Sequence, residues 1–252
     1  MADALLGGLI DAGRPLADFA VVEVSSARRD ELLAARPGLT VLAVPGPADA
    51  VVVATKPADA IDALRSAAAA SPGLRRVLSI AAGLSTAALE EAAGSGTAVV
   101  RAMPNTPALV GEGAAAICAG RAADDDDLAW AEGLLGAVGT VVRVPESSMD
   151  AVTGLSGSGP AFVFLVAEAL IDAGVLAGLT RDVADRLTRQ TLLGAARLLA
   201  GSDEGPEALR AAVTSPGGTT AAGLHRLESA AVRAALIDAV AAAAARSAEL
   251  GG

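Results

Sequence analysis

The chain has 252 residues, 53% apolar and 2% aromatic with no tyrosine, and a formal net charge of −10. That length predicts one large or two small domains with ample material for a core. The acidic balance argues against nucleic acid or anionic membrane as partners, and the scarcity of aromatics against a base-stacking surface. The single cysteine, Cys118, excludes an internal disulfide and fits a reducing cytosol. Set in an apolar run, it reads as a buried structural thiol. No uninterrupted apolar run reaches the length of a bilayer span. The first residues, with Asp3 and no basic run, do not read as a signal peptide.

Leu5, Leu6, Leu9 and Ile10 share one side of a helix predicted over 1–12, which Gly13 ends. A strand over 19–24, a helix over 31–35 and a strand over 51–54 follow. Then come a helix over 59–69, a strand over 76–80, a helix over 86–93 and a strand over 97–101. Two further apolar runs, 114–119 and 140–144, read as edge strands of the same sheet. Between them, Asp124 to Asp127 lacks the spacing of a calcium loop and reads as a solvated helix start. Short β runs alternating with helices predict a parallel sheet with right-handed crossovers. Ligands in such sheets bind at the carboxyl ends of the strands. Ser25 and Ser26 stand at one such end, Ala54, Thr55, Lys56 and Pro57 at a second, and Ile80, Ala81 and Ala82 at a third.

A dinucleotide fold opens strand, G-x-G-x-x-G, helix. This chain opens on the helix, with Gly7 and Gly8 inside it. Either a first strand and its glycine loop precede a start assigned at an internal methionine, or the protein truly lacks that strand; the expectation is the first. That strand lies in mid-sheet, so its loss leaves two exposed edges.

After Pro145 the pattern turns wholly helical. Residues 160–174 are apolar nearly all round, which predicts a helix buried on most sides. Thr180 is placed to cap the next helix, Gly201 to end it, and Pro206 to open a short one. A further helix is predicted over 221–250. Before it stands Val213, Thr214, Ser215, Pro216, Gly217, Gly218, Thr219 and Thr220. Ser and Thr cap helices, and the two glycines permit close approach of the backbone. Backbone N–H groups at the positive end of a helix bind anions, carboxylates included. Taken alone, the stretch reads first as a tight turn.

Two other strings accompany it: Arg101 to Gly113 (RAMPNTPALVGEG) and Met149 to Ala161 (MDAVTGLSGSGPA). With Val213 to Thr220 they form three long motifs in one order. On these the chain resembles the pyrroline-5-carboxylate reductase family over about 1–250. The resemblance implies an α/β fold: a Rossmann-like nucleotide-binding domain over 1–145, its first strand absent, then an all-α substrate and dimerisation domain over 146–252. It implies reduction of a cyclic imino acid, 1-pyrroline-5-carboxylate, to L-proline by a cytoplasmic homodimer or larger homo-oligomer. Substrate would be held by Glu146, Ser215, Gly217, Gly218, Thr219 and Thr220, with the Thr220 hydroxyl on the ring nitrogen as the catalytic contact. Lys56 and Pro57 match a Lys-Pro of the family at the cofactor, although Thr55 replaces a residue that is usually valine. Ser25, Ser26, Ala54, Thr55, Ile80, Ala81 and Ala82 complete the cofactor segments.

Hydroxyls at Ser25 and Ser26, with Arg28 and Arg29 behind, favour a 2′-phosphate and hence NADPH, NADH being possible. With one histidine, His225, one cysteine and one lysine, a Ser–His–Asp triad or a His-rich metal site has little to be built from. Two alternatives stand beside the reductase. A β-hydroxyacid-type dehydrogenase shares the architecture but uses a lysine in its helical domain, where this chain has none. A shortened, non-catalytic relative would have lost cofactor binding with the glycine loop.

Overall fold

The computed structural model describes residues 1–251. The elements in chain order are α1 (Ala2–Asp11), β1 (Ala20–Val22), α2 (Ser26–Ala35), β2 (Thr40–Leu42), β3 (Ala50–Val53), α3 (Pro57–Ala70), β4 (Arg76–Ser79), α4 (Thr86–Ala93), β5 (Ala98–Met103), β6 (Gly113–Ala119), α5 (Asp125–Leu135) and β7 (Gly139–Arg143). Helices then follow one another: α6 (Met149–Val152), which runs into a π turn over Thr153–Gly157, α7 (Gly159–Leu176), α8 (Arg181–Ala200), α9 (Pro206–Ala212), α10 (Thr219–Ser229) and α11 (Val232–Gly251). The chain divides into two compact units. One is Met1–Gly157 with the chain end from Ala243 on, and the other is Ser158–Ala242. The expected boundary after Pro145 therefore falls inside the first unit.

The first unit holds the sheet, in two pieces. β1 pairs with β2, and a separate five-stranded piece runs β3-β4-β5-β6-β7. Its pairs are parallel except β5 with β6. The link between those two, residues 104–112, holds only a 3-10 turn, and a parallel return needs a full crossover. Of the two strands expected at an edge, β7 is one; β6 lies inside the sheet.

Alternation along the strands covers both faces. Leu78, Val100 and Ile117 meet Leu5 and Leu9 of α1 and Leu134 and Leu135 of α5. Val77 and Val99 point the other way, to Leu64 of α3 and Leu89 of α4. Gly8 lets α1 approach closely, because a Cβ there would collide with Val138 and the Ala137 carbonyl. The acid run opens α5 as expected, with Asp124 as cap in a reciprocal pair with Asp127. Asp127 is not solvated, however: it is buried and pairs with Arg76 at 2.6 Å.

The second unit is all helix. Thr180 caps α8 through the Val183 amide, and Pro206 opens α9. Two expectations change here. Among the described residues of α7 none is buried, so the helix expected to be enclosed on most sides exposes Phe164 and Leu165 at 63% and 66%. The single helix expected over 221–250 is two, broken at Ala231, whose φ is +55°. By length and composition alone, Glu146–Leu176 holds an 18-residue window apolar enough to cross a membrane, with a mean hydropathy of 1.8 and none of that window buried. Glu168 and Asp172 interrupt the apolar run.

Candidate functional site

Two strand ends of the first unit lie side by side. β3 delivers Ala54, Thr55, Lys56 and Pro57, and β4 delivers Ile80, Ala81 and Ala82; the Ile80 amide donates to the Val53 carbonyl at 3.0 Å. Pro57 is the first residue of α3, where its missing N–H is no loss. Lys56 precedes it, exposed, and among the described residues its ammonium makes no ion pair. No side chain caps α3; Pro57 has no N–H and the Asp59 amide donates to the Lys56 carbonyl at 3.0 Å, so the Ala58 amide is the donor left open beside the lysine. Ala81 buries its methyl group in the core, which leaves backbone rather than side chain to meet a ligand there.

Ser25 and Ser26 follow β1, in the separate two-stranded piece. Ser25 caps α2, its hydroxyl accepting from the Arg28 amide. The arginines expected to await a phosphate are engaged elsewhere. Arg28 pairs with Asp3 and with Glu31, and Arg29 Nη1 donates to the carbonyls of Glu23 and Val24 at 2.9 Å. Sequence reasoning missed Glu23. It placed the strand's end at Val24, whereas β1 stops at Val22 and Glu23 is the first residue beyond. Glu23 Oε1 accepts from the Ser25 amide at 2.8 Å.

These ends fit part of a dinucleotide. A cation, an open helix start and an acid at the end of β1 are present, while among the described residues no G-x-G-x-x-G turn joins a strand to a helix.

Glu146, expected near a substrate nitrogen, is held within the first unit. Its Oε1 accepts from the Thr86 amide at 2.6 Å and from Arg101 Nη1 at 3.1 Å, and its Oε2 accepts from the Thr86 hydroxyl at 2.6 Å. Burial pulls its pKa up, but the Thr86 and Arg101 hydrogen bonds outweigh that and hold the carboxyl below the ordinary value. It closes the start of α4 and neutralises Arg101, which is 11% exposed. Burial, with Glu146's charge behind it, pushes the nearby Cys118 thiol up to about 11, so it stays protonated and inert.

Two of the three motifs meet in this unit. Asn105 Nδ2 donates to the Ser156 carbonyl at 3.0 Å while its Oδ1 accepts from the Ala114 amide at 2.9 Å. A Cβ on Gly157 would come within 2.6 Å of Met103 Cε.

The third motif stands at the start of α10 in the second unit. Gly217 has φ +69°, a conformation that favours glycine, and a Cβ on Gly218 would push the Ser215 hydroxyl aside. Gly218, not a threonine, is the cap residue; Thr219 and Thr220 are the first two residues of the helix. No side chain caps α10, so the serine and threonines beside its start do not serve it as caps. Thr219 and Thr220 are exposed, and their hydroxyls make no hydrogen bond among the described residues. His225 is exposed further along the same helix.

A family model described as pyrroline-5-carboxylate reductase dimerisation matches residues 146–250. The chain is 42% identical to a pyrroline-5-carboxylate reductase of Mycobacterium tuberculosis over 98% of this chain and 92% of that one. A solved pyrroline-5-carboxylate reductase from Coxiella burnetii superposes with TM-score 0.94 at 36% identity, covering 100% of this chain and 95% of that one. The Plasmodium falciparum pyrroline carboxylate reductase, solved with NADP bound, superposes with TM-score 0.84 at 31% identity, over 99% and 94% of the two chains. Matches to three other curated reductases, at 56%, 53% and 51% identity, are shorter and span 58%, 55% and 63% of those proteins' lengths. The doubly wound sheet, the helical unit, the three motifs and these likenesses agree: the chain belongs to the pyrroline-5-carboxylate reductase family.

Proposed function

We propose that this chain reduces 1-pyrroline-5-carboxylate to L-proline with hydride from NAD(P)H, in the cytoplasm, as a homodimer or larger homo-oligomer. The observation that carries the reading is the start of α10. There the Ser215–Gly218 turn, closed by the Gly218 amide on the Ser215 carbonyl, leads into the uncapped backbone N–H groups of Thr219 and Thr220, next to a free Thr220 hydroxyl. A helix start of this kind favours a carboxylate. Held there through its carboxylate, the substrate puts its ring nitrogen within reach of Thr220. The hydroxyl accepts from the N–H of the protonated imine and stays bonded as the C=N bond becomes single. The nitrogen keeps its proton and takes up the π electrons, so no further acid is required. A reduced nicotinamide, when bound, supplies the hydride to the ring carbon. Lys56 and the open start of α3 would hold its phosphates, and the Ile80–Ala82 backbone its nicotinamide end.

The division of labour follows: residues 1–145 for cofactor, and 146–252 for substrate and for the second chain. Exposed apolar residues along α7 support that last role. Assay of the purified chain with the cyclic imine tests the reading, by loss of the reduced-nicotinamide absorbance. Thr220→Val should lower kcat/KM about tenfold to a hundredfold, the loss of a hydrogen bond near a charged centre. Thr220→Val with unchanged kcat/KM would remove Thr220 from the chemistry.

A further inference from the structure

The end of β1 carries a specificity element that the serines behind it do not explain. Resting on the reading that the chain uses a nicotinamide dinucleotide, we infer that Glu23 makes it prefer NADH to NADPH. In a doubly wound sheet an acid at the end of this strand holds the ribose 2′-OH, and a nearby arginine instead accommodates a 2′-phosphate. Glu23 stands directly after Val22, the last residue of β1, and its amide donates to the Leu42 carbonyl at 3.0 Å, fixing its backbone at the strand end. Its Oε1 is oriented by the Ser25 amide at 2.8 Å, and its Oε2 accepts no hydrogen bond among the described residues. One carboxylate oxygen is thus free for a hydroxyl donor.

The two cations that could counter it are turned away. Arg28 lies between Asp3 and Glu31, and Arg29 is folded back on the carbonyls of Glu23 and Val24. A 2′-phosphate here would face a carboxylate with both neighbouring guanidiniums already engaged. A ribose diol would find an acceptor. Val24 and Val44, each two residues past the last paired position of β1 and β2, are 87% and 71% exposed and offer an apolar surface beside it.

The test is direct binding, by calorimetry, of NADH and NADPH to the chain and to Glu23→Ser and Glu23→Asp. The wild-type chain should bind NADH at least about tenfold more tightly than NADPH, the scale of a like-charge clash. Glu23→Ser should shrink or reverse that ratio, and Glu23→Asp should retain it. The stabilisation of Tm by each dinucleotide, read in parallel, should follow the same order and shows whether each variant is folded. Tighter binding of NADPH by the wild-type chain, or a ratio unmoved in Glu23→Ser, overturns the inference while leaving the reductase reading intact. Failure of every form to bind either dinucleotide overturns the cofactor reading itself, and this inference with it.

Discussion

In the sheet unit Leu64, Leu78, Leu89 and Ile117 are fully enclosed, while in the helical unit Phe164, Leu165 and Leu187 stand 63%, 66% and 56% exposed. Both units are rich in apolar residues, yet they use them differently. The first closes both faces of its sheet with its own helices. Within α7 to α10 of the second, only Ala184 and Thr188, both on α8, are buried. A large exposed apolar surface marks a partner. On the homo-oligomer proposed above, the sheet unit's stability is a property of one chain, whereas that of the helical unit should depend on the concentration of chains.

Core truncation should show the largest effect. Leu78→Ala leaves a void in an enclosed cluster and should cost about 2–5 kcal/mol. Denaturant melts at two chain concentrations should show the same loss at both. A loss that vanished at high concentration would mean that the sheet unit, too, leans on a partner.

The converse substitution is Leu165→Asp on α7. On a lone helix with that side chain in water it should be nearly neutral, within about 0.5 kcal/mol. In an assembly it places a charge where an apolar anchor belongs and should weaken association by about 2 kcal/mol or more. Sedimentation should show dissociation toward monomer, with Tm now independent of concentration. If Leu165→Asp sediments as wild type does, α7 is not the contact surface.

A pH experiment probes how the sheet unit is tied to its own last segment. Glu146 is held below the ordinary carboxyl pKa by Thr86 and Arg101 against the pull of burial. A depressed folded-state pKa contributes stability that is present above the unfolded value and lost as pH falls through the folded one. Glu146→Gln should therefore be about 1 kcal/mol less stable than wild type at neutral pH, since Arg101 is left without its partner. The gap should narrow on acidification. Urea midpoints at neutral and acid pH decide it: a gap that stays constant would mean the carboxylate's charge does nothing there.

What the sequence made legible follows the same divide. In the sheet unit, local signals sufficed for most elements. Thr86 to Ala93 is helical residue for residue, and Arg76 to Ser79 and Ala98 to Met103 are strands, because apolar alternation and caps act over a few positions. What escaped there was long-range or a matter of boundaries. Nothing near Glu146 in the chain announces Thr86 or Arg101 as its partners. A two-residue error at the end of β1 hid Glu23 behind Ser25. In the helical unit, the apolar run of α7 was read as buried because periodicity reports what avoids water, not which chain covers it. The turn before α10 was legible as a motif, yet its missing side-chain cap appears only in the geometry.

The smallest expected effect concerns a break that no glycine or proline announces. α10 ends at Ser229 and α11 starts at Val232, with Ala231 between them at φ +55°. The Ala230 amide closes on the Arg226 carbonyl and the Ala231 amide on the Glu228 carbonyl, each at 3.0 Å, so the first helix is finished by backbone bonds of the type a glycine usually completes. An L-residue pays about 1–2 kcal/mol for the left-handed conformation because its Cβ crowds the next carbonyl. Glycine avoids that crowding but loses about 0.5–1 kcal/mol more backbone entropy on folding. Ala231→Gly should therefore stabilise the chain by about 0.5–1 kcal/mol, seen as a small rise in the urea midpoint with the slope unchanged. The gain should be the same at every chain concentration, because it is local to one backbone position. If Ala231→Gly instead lowers the midpoint, glycine is loosening a helix that runs on through this position, and the break between α10 and α11 is not a feature of the folded chain.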